Sequence, residues 1–104
     1  MDLESTWPDL FEIRDLPTLI KHLFPRPVMY AGSRNLEAIA TYIEGFAFAT
    51  AGGHKEMREF NRWLAKKLKF SANIPWWVGL NQSFESDDDA LEALPGLFQE
   101  FWTK

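Results

Sequence analysis

The sequence predicts an all-α domain, on three observations. Apolar residues recur at spacings of three and four along most of the chain, which is the period of one helix face. Asp, Asn and Ser stand just ahead of several of these runs, with Pro and Gly where helices start and stop. Only Trp76-Trp77-Val78 has the composition of a strand, and no partner strand is visible elsewhere. The expected architecture is a small irregular bundle of about five helices around a central helix at 34–51, in a single domain spanning 1–104.

In chain order, Thr6-Trp7-Pro8-Asp9 offers a cap followed by Pro in the first turn, so a short helix to about Arg14 is expected. Asp15-Leu16-Pro17 repeats that grammar. Leu16, Leu19, Ile20 and Leu23 follow at helical spacing until Pro25 and Pro27 forbid continuation, giving two short helices or one kinked helix. Pro25-Arg26-Pro27 is a stiff connector into Met29-Tyr30-Ala31-Gly32, and Ser33 or Asn35 caps the central helix. In that helix Leu36, Ile39, Ala40, Ile43, Phe46, Ala47 and Thr50 share roughly a third of the circumference. Ala38, Tyr42, Gly45 and Ala49 form a second strip nearly opposite, so burial on both sides is expected. Glu37, Thr41 and Glu44, with Phe48 and Ala51, read as facing solvent, and Gly52-Gly53 ends the helix.

The next helix, at about 55–70, carries Met57, Phe60, Trp63, Leu64 and Leu68 on its apolar side. Pro75 then opens a short helix through Trp76, Trp77, Leu80 and Phe84. Ser86-Asp87-Asp88-Asp89 starts the last helix with a cap and acidic residues that suit its dipole. Pro95-Gly96 is expected to kink that helix or split it in two.

Composition narrows the chemistry. A length of 104 residues suits one core, and 46% hydrophobic residues with five Trp and nine Phe can build it. The absence of Cys removes disulfides, thiolate nucleophiles and Cys-ligated metals. The acidic start, Met1 to Thr6, lacks the pattern of a secretory signal, and no apolar run approaches the ~20 residues that span a bilayer. A cytoplasmic protein without membrane association is expected. His22 and His54 belong to no HxxxH or HExxH pair, and neither a G-x-S-x-G elbow nor a P-loop occurs. We therefore expect a non-enzymatic protein with no cofactor and no metal.

The net charge of −4 is segregated along the chain. Acidic residues dominate 1–15 and 85–100, whereas six of the eleven basic residues fall between His54 and Phe70. Lys55, Arg58, Arg62, Lys66 and Lys69 follow at steps of three or four and so line one side of the helix, opposite its apolar side. The aromatics of that helix lie on the other face, and the overall acidity opposes DNA, so no nucleic acid partner is expected. A solvated face and a docking surface for an acidic protein remain as the two readings. Asp87-Asp88-Asp89 lacks the EF-hand spacing, which leaves helix capping or an acidic surface for a basic protein. Trp7, Trp76, Trp77 and Trp102 lie near element ends, where an exposed Trp would anchor an interface. The partner-binding candidates are accordingly Trp76, Trp77, Asp87, Asp88, Asp89, Arg58 and Arg62. The second reading is a small-molecule pocket, with or without enzyme activity, at Arg26, Tyr30, Ser33 and Arg34.

Arg26-Pro27, Met29-Tyr30, Gly32-Ser33, Leu36 and Tyr42-Ile43-Glu44-Gly45-Phe46 together resemble a signature, R-P-x-M-Y-x-G, then L, then [FY]-[IL]-x-G-[FY]. It marks a family of small uncharacterised bacterial helical proteins. Phe60-Asn61-Arg62-Trp63-Leu64 and the acidic-aromatic stretch from Asp87 to Trp102 extend the resemblance over most of 25–103. Val28 departs from it, standing where the pattern usually has Gly. The resemblance implies a bacterial protein-binding domain of immunity type, whose partner is a toxin. The first string also occurs in the ATPase subunits of type II topoisomerases, but none of their nucleotide-binding motifs follows here.

Overall fold

The computed structural model describes residues 15–104, which form six helices and no strand. The helix expected before Arg14 lies outside the described residues. The first described helix, α1 (Leu16–Leu23), starts at Asp15, whose extended backbone lets its carboxylate accept the Thr18 N–H at 2.9 Å. Leu16, Leu19, Ile20 and Leu23 are all buried, as their spacing requires.

The connector after α1 is not simply a turn. Pro27 presets the backbone angle of a first helical position, and a single turn of helix, α2 (Pro27–Ala31), follows it. Gly32, at φ 77°, closes it in the left-handed conformation that glycine adopts most cheaply. Val28 and Met29 on this turn are exposed.

Helix α3 (Leu36–Ala49) is the central helix, two residues shorter at each end than expected. Of the two candidate caps, Asn35 does the capping, its Oδ1 accepting the Ala38 N–H at 2.7 Å, while Ser33 Oγ accepts from the Asn35 amide. Leu36, Ile39, Ala40, Ile43 and Ala47 are buried. The second strip is only half covered, which corrects the expectation of burial on both sides. Tyr30 of α2 packs edge-on against Tyr42, with ring centroids 6.1 Å apart. At five residues, α2 reaches only about 7.5 Å, so Gly45 and Ala49 remain exposed.

Gly52, again at φ 77°, reverses the chain into α4 (Gly53–Leu68), which therefore begins two residues earlier than expected. Gly53 is buried against α3, and a Cβ there would stand 2.6 Å from the Ala47 carbonyl oxygen. After the loop at 71–75 come α5 (Trp76–Ser83) and α6 (Asp87–Thr103). The last helix runs unbroken through Pro95-Gly96, so of the expected kink or split the split does not occur. Leu91 and Leu94 before the proline and Leu97, Phe98 and Phe101 after it are all buried. That burial outweighs the lost hydrogen bond, a cost of about 3 kcal/mol.

The core centres on rings. Phe60 of α4 lies on Phe98 of α6 with centroids 4.2 Å apart and planes 11° from parallel. Trp76 of α5 meets both edge-on, at 5.5 and 6.1 Å. These contacts clamp three helices together.

The Asp15 cap yields a pH-dependent expectation. Hydrogen bonding to Thr18 lowers the Asp15 pKa from its ordinary 3.8. A depressed carboxylate pKa contributes stability that is complete above the unfolded value and is lost as pH falls through the folded one. Asp15→Ala should therefore cost about 1 kcal/mol near neutral pH. In denaturant unfolding, the gap between the two proteins should close as the pH is taken below about 3.8.

Candidate functional site

The strongest candidate is the outer face of α4. Lys55, Arg58, Arg62, Lys66 and Lys69 are all exposed, and they share one side because their steps of three and four keep them in register with the helical turn. Among the described residues, no carboxylate lies within 4.0 Å of any of them. Lys67, one residue out of that register, behaves differently. It pairs with Glu100 of α6 and sits 5.6 Å from the centre of the Trp63 ring. The sixth cation is thus tied to the fold while the five on the stripe face solvent.

Lys69 ends the stripe in an unusual backbone state. Its φ of 63° is left-handed, a conformation that costs a lysine about 1 kcal/mol more than a glycine. The Phe70 N–H closes the helix end on the Ala65 carbonyl at 3.0 Å.

Beside the stripe is a cleft of about 390 Å³, on which Arg58 and Arg62 converge with Met57, Ile74, Pro75 and Glu44. Asn61 secures one side of it by donating to the carbonyls of Ala72 at 3.4 Å and Ile74 at 3.3 Å. The loop is further held by the Asn73 N–H on Ser71 Oγ and the Ile74 N–H on the Ser71 carbonyl, both at 3.2 Å.

The remaining candidates are placed otherwise. Trp76 is 1% exposed and its indole N–H donates to Glu44 Oε1 at 2.8 Å, so it is a core residue and not a surface anchor. Glu44, expected in solvent, is half-buried and accepts that hydrogen bond. Trp77 is half-buried, edge-on to Trp76, and lines a second cleft of about 350 Å³ with Leu36, Asn81 and Asp87. Trp102 is half-buried and donates to Glu56 Oε2 at 2.9 Å. Trp7 lies outside the described residues.

The acidic run divides by role. Asp87 accepts the Leu36 N–H at 3.3 Å through Oδ2 and the Asn81 amide at 2.6 Å through Oδ1, so one carboxylate ties the starts of α3 and α6 to α5. Asp88 meets Arg34 at 3.6 Å with both side chains exposed. Asp89 is exposed, and its N–H is capped by Ser86 Oγ at 3.1 Å. The fold thus brings together Arg34 and Asp88, which belonged to different candidate sets.

Of the proposed pocket residues, Arg26 is exposed, Ser33 is half-buried, and the Tyr30 hydroxyl is buried without a hydrogen-bond partner among the described residues. Burial, and secondarily Tyr30 itself, raises the pKa of the neighbouring Tyr42 hydroxyl. Tyr30, Ser33 and Arg34 line neither of the clefts above, nor a groove of about 530 Å³ between α1 and α6. That groove, walled by Ile20, Phe24, Pro95 and Trp102, has no counterpart in the sequence reading, because its halves lie some 70 residues apart.

Among the described residues no three His, Asp or Glu side chains cluster as metal ligands, and no helix is long and apolar enough to cross a membrane. No protein-family model matches the sequence, and comparison with curated proteins and with solved structures gave no match.

The division within the acidic run is measurable. Asp87→Ala leaves the Leu36 N–H and the Asn81 amide without their charged acceptor and should cost about 1–3 kcal/mol in equilibrium unfolding. Asp88→Ala, which removes only an exposed pair, should change stability by about 0.5 kcal/mol or less.

Proposed function

We propose that this chain is a protein-binding domain whose docking face is the cationic stripe of α4, and that its partner presents an acidic surface. The observation that carries the reading is the stripe itself, five exposed cations in register with no carboxylate within 4.0 Å among the described residues, on a chain of net charge −4. Uncompensated like charges on a helix repel, so a stripe of them favours a use outside the fold. The left-handed Lys69 adds support, because glycine would fit the position better and lysine extends the stripe. Nucleic acid is disfavoured because Phe60 and Trp63 face the core and give bases nothing to stack on. An immunity-type role, as the family resemblance implies, is the particular case in which the acidic partner is a bacterial toxin.

The test uses a fluorescent polyglutamate chain as an acidic probe, with a DNA duplex and anionic vesicles as competitors. Binding should weaken with rising salt, and Arg58→Glu with Arg62→Glu should reduce it by about tenfold or more without loss of helical signal. Lys69→Gly should raise stability by about 1 kcal/mol while weakening the probe. Tighter binding of DNA or vesicles than of polyglutamate would overturn the choice of partner.

A further inference from the structure

We infer that the cleft beside Arg58 and Arg62 seats an extended segment of the partner in which two carboxylates flank one apolar side chain. The inference rests on the protein-binding reading above and narrows it from an acidic surface to a short acidic-apolar sequence.

Spacing is the first argument. Arg58 and Arg62 stand one helical turn apart, which separates their Cβ atoms by about 6 Å. Alternate side chains of an extended chain leave the same face about 6.6 Å apart. Carboxylates at positions one and three of such a segment therefore meet the two guanidiniums, each a rigid fork built for carboxylate oxygens. The residue between them points the other way.

What it meets there is the 71–75 loop, where Ile74 and Pro75 give the cleft of about 390 Å³ an apolar stretch across from the arginines of α4. A branched aliphatic side chain gains there what a polar one does not. Glu44 argues in the same direction. Its Oε1 already accepts from the Trp76 indole, fixing a negative charge within the cleft. A carboxylate at the middle position would be repelled, whereas an apolar group would not.

The loop is also preorganised. Asn61 holds the Ala72 and Ile74 carbonyls, and Ser71 holds the N–H groups of Asn73 and Ile74, so binding orders little that is not ordered already.

The experiment is an NMR titration of the intact protein with three blocked peptides, Gly-Glu-Leu-Glu-Gly, Gly-Glu-Ser-Glu-Gly and Gly-Glu-Glu-Glu-Gly. The leucine peptide should bind about tenfold tighter than the other two, the gain from burying most of one leucine side chain, and should shift the Asn61 and Asn73 signals. Arg58→Ala with Arg62→Ala should abolish that preference. Lys55→Ala with Lys69→Ala, on the stripe but away from the cleft, should weaken all three peptides equally and preserve it. All of these side chains are exposed and mutually repelling, so the variants should melt no earlier than the wild type, which thermal unfolding checks. Equal affinity for the three peptides would overturn the inference while leaving an acidic partner in place. Failure of every acidic peptide to bind at low salt would remove both readings.

Discussion

The stack of Phe60 on Phe98 is the contact on which the arrangement turns. Two rings 4.2 Å apart set how closely α4 and α6 cross, and Trp76 presses α5 against the same pair. Buried aromatics of this size each contribute on the order of 3–5 kcal/mol relative to alanine, comparable with much of a small domain's net stability. The same contact orients α4. Once Phe60, Leu64 and Met57 are turned inward, the 3.6-residue period leaves Lys55, Arg58, Arg62, Lys66 and Lys69 no position but the outside.

Around this apolar centre the polar groups at the edge are engaged from across the fold. The indoles of Trp76 and Trp102 donate to Glu44 and Glu56, and Asp87 takes a helix-start N–H of α3 that would otherwise lack a partner. Each link joins elements far apart in sequence. Each also fixes a residue that looked free to serve a partner. Of the partner-binding candidates, the fold consumes Trp76 and Asp87 for itself and leaves Arg58 and Arg62 exposed on α4.

What was legible in the sequence was local. Asp15, Asn35 and Ser86 cap helices as their residue types require, because a cap bonds an N–H three residues away and needs nothing else. The register of the stripe and the apolar face of α4 followed from period alone. The failures share the opposite cause. Pro95 was expected to kink or split a helix, and the split does not occur because burial on both sides of it is a tertiary matter that local propensity does not contain. The second strip of α3 was expected to be covered, yet α2 is too short to cover all of it. Glu44 looked solvent-facing because its partner, Trp76, is 32 residues away. The cleft joins α3, α4 and the 71–75 loop, and no sequence pattern spans such a set.

The energetics of the stripe bear on why it persists. Its four neighbouring pairs, 55 with 58, 58 with 62, 62 with 66 and 66 with 69, each cost about 0.2–0.5 kcal/mol at low salt. The left-handed Lys69 adds about 1 kcal/mol. The helix dipole offsets part of this for Lys66 and Lys69, which lie at the negative end, but gives Lys55 and Arg58 near the positive end no relief. A face needed only for solvation has an easier solution, glutamate and lysine alternating at four-residue steps, which stabilises where the stripe repels. Glu59 shows that acidic residues are tolerated on α4, and Lys67 shows that a cation there can be paired. Among the described residues the five have no carboxylate partner, a feature that the packing of α4 does not explain, and under the proposed reading an acidic partner supplies the missing half of the charge balance.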